Sequence, residues 1–247
     1  MKKEYTFDVN GFHMTVSYEE ETIEKVFLPL LREWSEMKKE KGKRIFVFLS
    51  APPGVGKTTV AQFMEYLSQT QPELEEIQAI GLDGFHYHQN YILSHTAMVD
   101  GREVPMKDVK GCPETFDIDK LKQKLSQLTK GDVKWPIYDR NLHDVVEDAV
   151  LVNKEIILIE GNWLLSTEGD WNSLIEYCDD SIFIYAEEDK LKDRLIQRKM
   201  HGGLSFAEAE KFYENSDRKN VNRLIKNHHS GRINLLMQEN GNYELDN

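Results

Sequence analysis

Cysteine is nearly missing from this chain. Cys112 and Cys178 are the two among 247 residues, and neither sits in a paired metal-ligand spacing. That argues against a disulfide framework and against a cysteine-bound zinc. Positive charge is also short: 31 Lys and Arg stand against 43 Asp and Glu, for a formal charge of −12. A long nucleic-acid surface needs a basic stripe, which this balance disfavours. No apolar stretch approaches the roughly 20 residues of a membrane span, and the N-terminus lacks the apolar core of a signal peptide. The expectation is a cytoplasmic protein without nucleic-acid or membrane partners. With 40% hydrophobic and 10% aromatic residues, the composition is ordinary for a globular chain. The length suits one α/β domain with a sizeable core.

What is present centres on Ala51-Pro52-Pro53-Gly54-Val55-Gly56-Lys57-Thr58-Thr59. The apolar run Ile45 to Leu49 precedes it and a helix-forming stretch, Val60 to Leu67, follows. Strand, glycine loop, Lys-Thr and helix is the order of a phosphate-binding P-loop. Gly54 and Gly56 allow a tight turn whose successive N–H groups point at phosphate oxygens, and the helix dipole adds to the same spot. Lys57 then reaches the β- and γ-phosphates of ATP, and the Thr58 hydroxyl ligates Mg²⁺. Ala51 departs from the pattern by standing where the first glycine is expected. The competing reading is an ordinary Pro-Gly turn ahead of a lysine, which leaves the flanking strand and helix unexplained.

Along the chain, Asn10-Gly11 between two alternating runs predicts a hairpin. Residues 18–41 predict a helix with Ile23, Val26, Phe27, Leu30, Leu31 and Trp34 on one face. That face serves either as a dimer surface or as packing on its own domain, and the second is the usual use of an amphipathic helix. Residues 97–116 read as a long irregular segment of the kind used as a lid or binding loop. Asp117 caps a helix to about Thr129, and Val133 to Tyr138, broken by Pro136, is an edge or an excursion. Ile156–Ile159 and Ser181–Tyr185 are buried strands, and Ile233–Met237 a last one. Ser205 with Glu208 forms a capping box opening a helix to Lys226, and the polar tail after Gln238 is expected to be loose at its end. Apolar strands alternating with helices give a parallel sheet with helices on both faces. The expected division is an N-terminal hairpin and helix, 1–43, and a P-loop domain, 44–247.

In such sheets ligands bind beyond the carboxyl ends of the strands. Two of those ends carry acids, Asp83 and Glu160. Asp83 is the candidate base for a hydroxyl acceptor, and Glu160 holds Mg²⁺ or positions water. Alternatively, Asp83 caps a short helix and Glu160 is a turn acid before glycine. Arg194 and Arg198, four apart, share a helix face and suit the charge of a transferring phosphoryl group. With Gly202-Gly203 as hinge they form a lid around 187–204. The plainer alternative pairs them with Glu187 and Glu188 on a solvated face.

Taken together, the P-loop, Asp83-Gly84-Phe85-His86, Lys110-Gly111-Cys112-Pro113-Glu114-Thr115-Phe116-Asp117, Tyr138-Asp139-Arg140 and Ile159-Glu160-Gly161-Asn162-Trp163 resemble the uridine kinase and pantothenate kinase branch of the P-loop kinases. The nearest resemblance is to its nucleoside/nucleotide kinase-like members, some labelled fructose transport system kinases. It covers roughly residues 44–227. It implies a P-loop NTPase fold of nucleoside-kinase type, Asp83 as catalytic carboxylate, Glu160 assisting Mg²⁺, and Arg194 and Arg198 in the lid. Tyr138 and His143 keep the spacing of the pair that contacts nucleoside in uridine kinases, but Asp139-Arg140-Asn141-Leu142 between them is not the uridine kinase sequence.

An acceptor site is therefore expected from Asp83, His86, Tyr87, Tyr138, Arg140 and His143, with groups from residues 100–116. His86 and His88 lack the third ligand a metal pair would need. Thr115 and Asp117 either touch the acceptor or cap the next helix, and Asp217, Asn220 and Asn222 are further candidates. The expected activity is ATP- and Mg²⁺-dependent phosphorylation of a small-molecule hydroxyl: a nucleoside, a pantothenate-like compound or a sugar. The alternative is a nucleotide-binding regulatory switch.

Overall fold

The computed structural model describes residues 2–9 and 12–246; the Asn10-Gly11 turn lies outside them. Strands β1 (Lys2–Val9) and β2 (Phe12–Glu19) pair antiparallel. A helical run follows, from α1 (Glu20–Thr22) through a π turn (Ile23–Phe27) into α2 (Leu28–Lys41). Gly42, in a left-handed conformation, ends it. Ile23, Val26, Phe27, Leu30, Leu31 and Trp34 are all buried against the protein's own core. This is the packing on its own domain expected of an amphipathic helix, and it takes the place of the alternative, a dimer surface.

The central sheet has six strands in the order β12-β11-β10-β3-β9-β4. These are β3 (Ile45–Ser50), β4 (Ile77–Gly81), β9 (Ile156–Gly161), β10 (Asp180–Tyr185), β11 (Ile233–Met237) and β12 (Tyr243–Leu245). All neighbours run parallel except β12, which returns antiparallel on β11. In β3 and β9 every residue is buried, and the two-residue period of a strand divides them between two cores. Ile45, Val47 and Leu49 face one layer with α3 (Lys57–Gln69) and the N-terminal helix. Phe46 and Phe48 face the other, with Leu121, Leu125 and Leu128 of a helix described below. That is the expected parallel α/β sheet covered on both sides.

Between β4 and β9 the chain leaves the sheet. Residues 83–85 make a 3₁₀ turn, followed by α4 (Gln89–Ser94) and a short hairpin of β5 (Thr96–Val99) and β6 (Arg102–Pro105). The segment expected to be irregular thus carries a hairpin and two 3₁₀ turns, Met106–Val109 and Pro113–Thr115. Asp117 accepts from Lys120 N–H and caps α5 (Ile118–Leu128). Strand β7 (Val133–Asp139) pairs with β8 (Asp144–Val152) as a separate hairpin, with its register shift at Pro136. The carboxyl side continues with α6 (Glu188–His201), α7 (Phe206–Phe212), a π turn (Tyr213–Asp217) and α8 (Arg218–Lys226). The tail after Gln238 is held as far as Leu245, where β12 pairs with β11: Asn242 Oδ1 accepts from Glu19 N–H, and Tyr243 is buried.

One buried charge ties three of these pieces together. The Asp180 carboxylate, at the start of β10, accepts Trp34 Nε1–H at 2.7 Å and Arg232 Nη2–H at 2.6 Å. Removing it strands the buried Trp34 indole donor, while the half-exposed Arg232 keeps Glu33 at 2.8 Å. Asp180→Ala should therefore cost about 2 kcal/mol of folding stability, with Asp180→Asn costing less because it keeps an acceptor for Trp34. Denaturant unfolding of the two variants measures this.

Candidate active site

Strand register builds the site. Glu160 lies opposite Leu49 of β3 on one side and Gly81 of β4 on the other. The carboxyl ends of three adjacent strands therefore deliver the P-loop, Glu160 and Asp83 side by side. Gly84 lets the Asp83 turn press onto the β7 strand: a Cβ there would stand 2.1 Å from Pro136 O. Trp135 Nε1–H donates to Gly81 O at 2.9 Å and fixes the same approach.

In the P-loop, Gly54 and Gly56 hold φ of +92° and +90°, which explains glycine at these positions. Ala51 is buried and is not among the residues with positive φ, so its methyl group packs without backbone strain. The loop also has a wall from the far end of the chain. Tyr243 Oη–H donates to Val55 O at 2.7 Å, and a Cβ on Gly56 would stand 2.9 Å from that hydroxyl. Tyr243 in turn packs near Tyr18 and Phe27 of the N-terminal segment.

Thr58 Oγ1–H donates to Glu160 Oε1 at 2.8 Å. Burial pushes the Glu160 carboxyl above its ordinary value, opposed by the Lys57 charge, and Asp83 pushes it further up. A buried carboxylate beside a hydroxyl and next to a second acid is a hard-oxygen donor set suited to a divalent cation such as Mg²⁺.

A cleft of about 870 Å³ opens over the P-loop. Gly54, Gly56, Lys57, Thr58 and Thr59 line it, as do Asp83, His86, Tyr138 and Arg140, together with Arg194 and Arg198 of α6. The alternative pairing of those arginines is absent: among the described residues Glu187 meets Lys190 and Glu188 meets Arg218. His86 stacks on Phe116 at 3.8 Å, and burial holds its imidazole below the usual pKa. Two expected residues are elsewhere. Tyr87 packs against Ile92, Ala97 and Met106, with its ring on Tyr91. His143 is exposed at the tip of the β7–β8 hairpin with φ +53°; spacing alone did not reveal that the hairpin turn carries it away. His88 meets Asp144 and Glu147 rather than His86. Thr115 accepts from Gly111 N–H and donates to Cys112 O, so it organises its own turn.

The structure brings the candidates Asp217 and Asn220 into the cleft, leaves Asn222 outside its lining, and adds Lys110, Lys199 and Phe212. Lys110 donates to Gln89 Oε1 and Tyr138 Oη, both at 2.8 Å. Lys199 lies over the Phe212 ring at 3.6 Å. Asp217 ends a π turn with its Oδ2 buried and without a hydrogen-bond partner. A second cleft of about 600 Å³ shares Thr58, Asp83, Tyr138 and Arg140, and is walled by Glu160, Glu65 and Phe7 of the N-terminal hairpin.

Residues 46–228 match the model of the Phosphoribulokinase / Uridine kinase family. The Escherichia coli (strain K12) protein named Uncharacterized protein YggC is 42% identical over 246 residues, 99% of both chains. An E. coli pantothenate kinase is 28% identical over 75% of this chain and 60% of its own length. Among solved structures, a Silicibacter sp. TM1040 protein described as a fructose transport system kinase superposes with TM-score 0.67 at 26% identity, over 78% of this chain and 89% of that one. YFH7 of Saccharomyces cerevisiae, at 15% identity and TM-score 0.69 over 86% and 99%, shares the fold alone.

Two outcomes follow from this geometry. Tyr243→Phe leaves the buried Val55 O without its donor, so it should cost about 1 kcal/mol of folding stability, which denaturant unfolding measures. For Glu160, the folded-state pKa stands above the unfolded one. The group therefore supports the fold below pH 4.5, the unfolded value, and weakens it as pH rises through the folded-state value. Glu160→Gln should raise the melting temperature of the metal-free protein at pH 7, with the gain vanishing below pH 4.5.

Proposed function

This chain belongs to the Phosphoribulokinase / Uridine kinase family, and we propose that it transfers the γ-phosphoryl group of ATP to a hydroxyl of a small metabolite. The observation that carries this reading is the strand register that sets Glu160 between the P-loop strand and the strand leading to Asp83. A nucleotide site and an open carboxylate at the mouth of one cleft are the two parts an in-line transfer needs.

In this reading the P-loop amides and Lys57 hold the β- and γ-phosphates. Thr58 and Glu160 are the residues that would hold Mg²⁺, which when bound supplies charge neutralisation along the triphosphate. Asp83 is exposed to the cleft and accepts the proton of the acceptor hydroxyl as its oxygen attacks the γ-phosphorus. Arg194 and Arg198 face the same space and stabilise the charge spreading over the equatorial oxygens. Helix α6 ends at Gly202-Gly203, and Gly203 with φ +100° has open space around it. Those features support a lid that excludes water when the helix approaches the phosphates. His86, Tyr138 and Arg140 bind the acceptor.

The test is ADP formation by the purified protein against a mixed set of nucleosides, vitamins and sugars. Acceptor-dependent turnover should fall at least about 10³-fold in Asp83→Asn, while ATP affinity stays within a few-fold. A fully active Asp83→Asn would remove the residue from its assigned role. Nucleotide-dependent binding of a partner protein with no acceptor turnover would favour a regulatory switch instead.

A further inference from the structure

Charge is distributed unevenly over this protein. It carries a formal net charge of −12, and many of its cations outside the cleft have a carboxylate within 4 Å. Lys41, Arg44, Lys120, Lys124, Lys154, Arg223 and Arg232 are examples. The cleft is the opposite. Lys57, Lys110, Arg140, Arg194, Arg198 and Lys199 all line it, and among the described residues none of the six forms an ion pair. The carboxylates lining the same space are Asp83, Asp139 and Asp217. Asp139 spends an oxygen on the N–H groups of Asn141 and Leu142.

A Mg²⁺-bound ATP brings a net charge of about −2, which Lys57 and the arginines of α6 can offset. Lys199 and Arg198 also face the buried Asp217, whose carboxyl they stabilise against the cost of burial. That leaves Lys110 and Arg140 on the Tyr138 side. Two Lys110 N–H groups go to the neutral oxygens of Gln89 and Tyr138, and its ammonium also lies 4.6 Å from the centre of the Tyr138 ring. This ammonium is held in place by neutral groups, with one donor left over. Arg140 is exposed at the rim of the same wall. A half-buried, orientated ammonium without an anion costs desolvation that a bound oxyanion would recover.

Resting on the kinase reading above, we propose that the acceptor is an anionic hydroxy compound, a carboxylate or a phosphate ester, whose oxyanion is bound by Lys110 and Arg140. Its hydroxyl then meets Asp83 while its charged end lies against Tyr138. A neutral polyol or nucleoside would leave that ammonium unpaired, so discrimination against uncharged analogues comes from the same two residues. Both residues line the cleft on its Tyr138 side, and Lys110, held by Gln89 and Tyr138, is the one whose loss is read on the acceptor.

Two arms test this. In the first, acids and their neutral partners are compared as acceptors: glycerate with glycerol, pantothenate with pantothenyl alcohol, and ribose 5-phosphate with ribose. The hydroxy acids and the sugar phosphate separate the two sources of the oxyanion. A substrate found here should lose about tenfold or more in kcat/KM when its charge is removed. Lys110→Met or Arg140→Gln should raise its KM by a similar factor, and Lys110→Met should leave the KM for ATP unchanged. In the second arm, the same compounds are titrated by calorimetry into protein saturated with a non-hydrolysable ATP analogue. Binding of a charged compound that is lost in Lys110→Met, with an unchanged melting temperature, supports the anion site even if no turnover is seen, in which case the kinase reading alone fails. A neutral compound used as well as its acid overturns the anion site and leaves the kinase reading standing. Failure of every charged compound to bind the nucleotide-loaded protein also overturns it.

Discussion

Glu160 ends a strand in which every residue is buried, so its carboxylate must find partners inside the protein. It has Thr58 as a donor, Lys57 as the main opposing charge and Asp83 as a like charge. Much of the surrounding architecture follows from keeping this acid in place. Parallel pairing on both sides fixes its height in the sheet, and the glycine opposite it allows close approach, since a Cβ on Gly81 would lie 3.3 Å from Glu160 Oε1. A buried acid with incomplete compensation destabilises a fold. Its position beside the P-loop threonine is where a divalent cation would complete the balance.

The P-loop is likewise supported from outside its own motif. Its carbonyl at Val55 is satisfied by Tyr243, which comes from an antiparallel strand added after the last parallel one. Thr22 Oγ1 donates to Tyr243 O at 3.3 Å, and the ring packs near Tyr18 and Phe27. The two ends of the chain thus meet behind the phosphate loop. They limit how far the loop can move without disturbing two distant segments.

The parts of this site legible in the sequence were those encoded by neighbours in the chain. Strand, loop and helix around Lys57 are contiguous, and strand ends advertise their acids, so Asp83 and Glu160 are visible in the sequence itself. Side chains that converge from separate segments were less legible. Tyr138 and His143 are close in sequence, yet the hairpin turn keeps one in the cleft and sends the other out. Lys110 gives no signal by itself, since its role depends on Gln89 and Tyr138 being brought to it. The C-terminal hairpin did carry a local cue. Asn240-Gly241 follows a strand as Asn10-Gly11 does, and Gly241 takes φ +81°, the conformation such a pair provides. The polar residues around it concealed the pairing of β12.

These observations also bear on why one P-loop position tolerates a departure. A glycine is required where φ is positive or where another atom stands close, and Gly54 and Gly56 meet those conditions. Ala51 follows directly on β3 and is buried, where a methyl group adds apolar contact to the core. The loop's ability to cradle a phosphate rests on its left-handed glycines and on the Tyr243 hydroxyl behind them. Substitution at the first position changes packing at the strand end, while substitution at Gly56 would strike both the backbone conformation and the supporting hydroxyl.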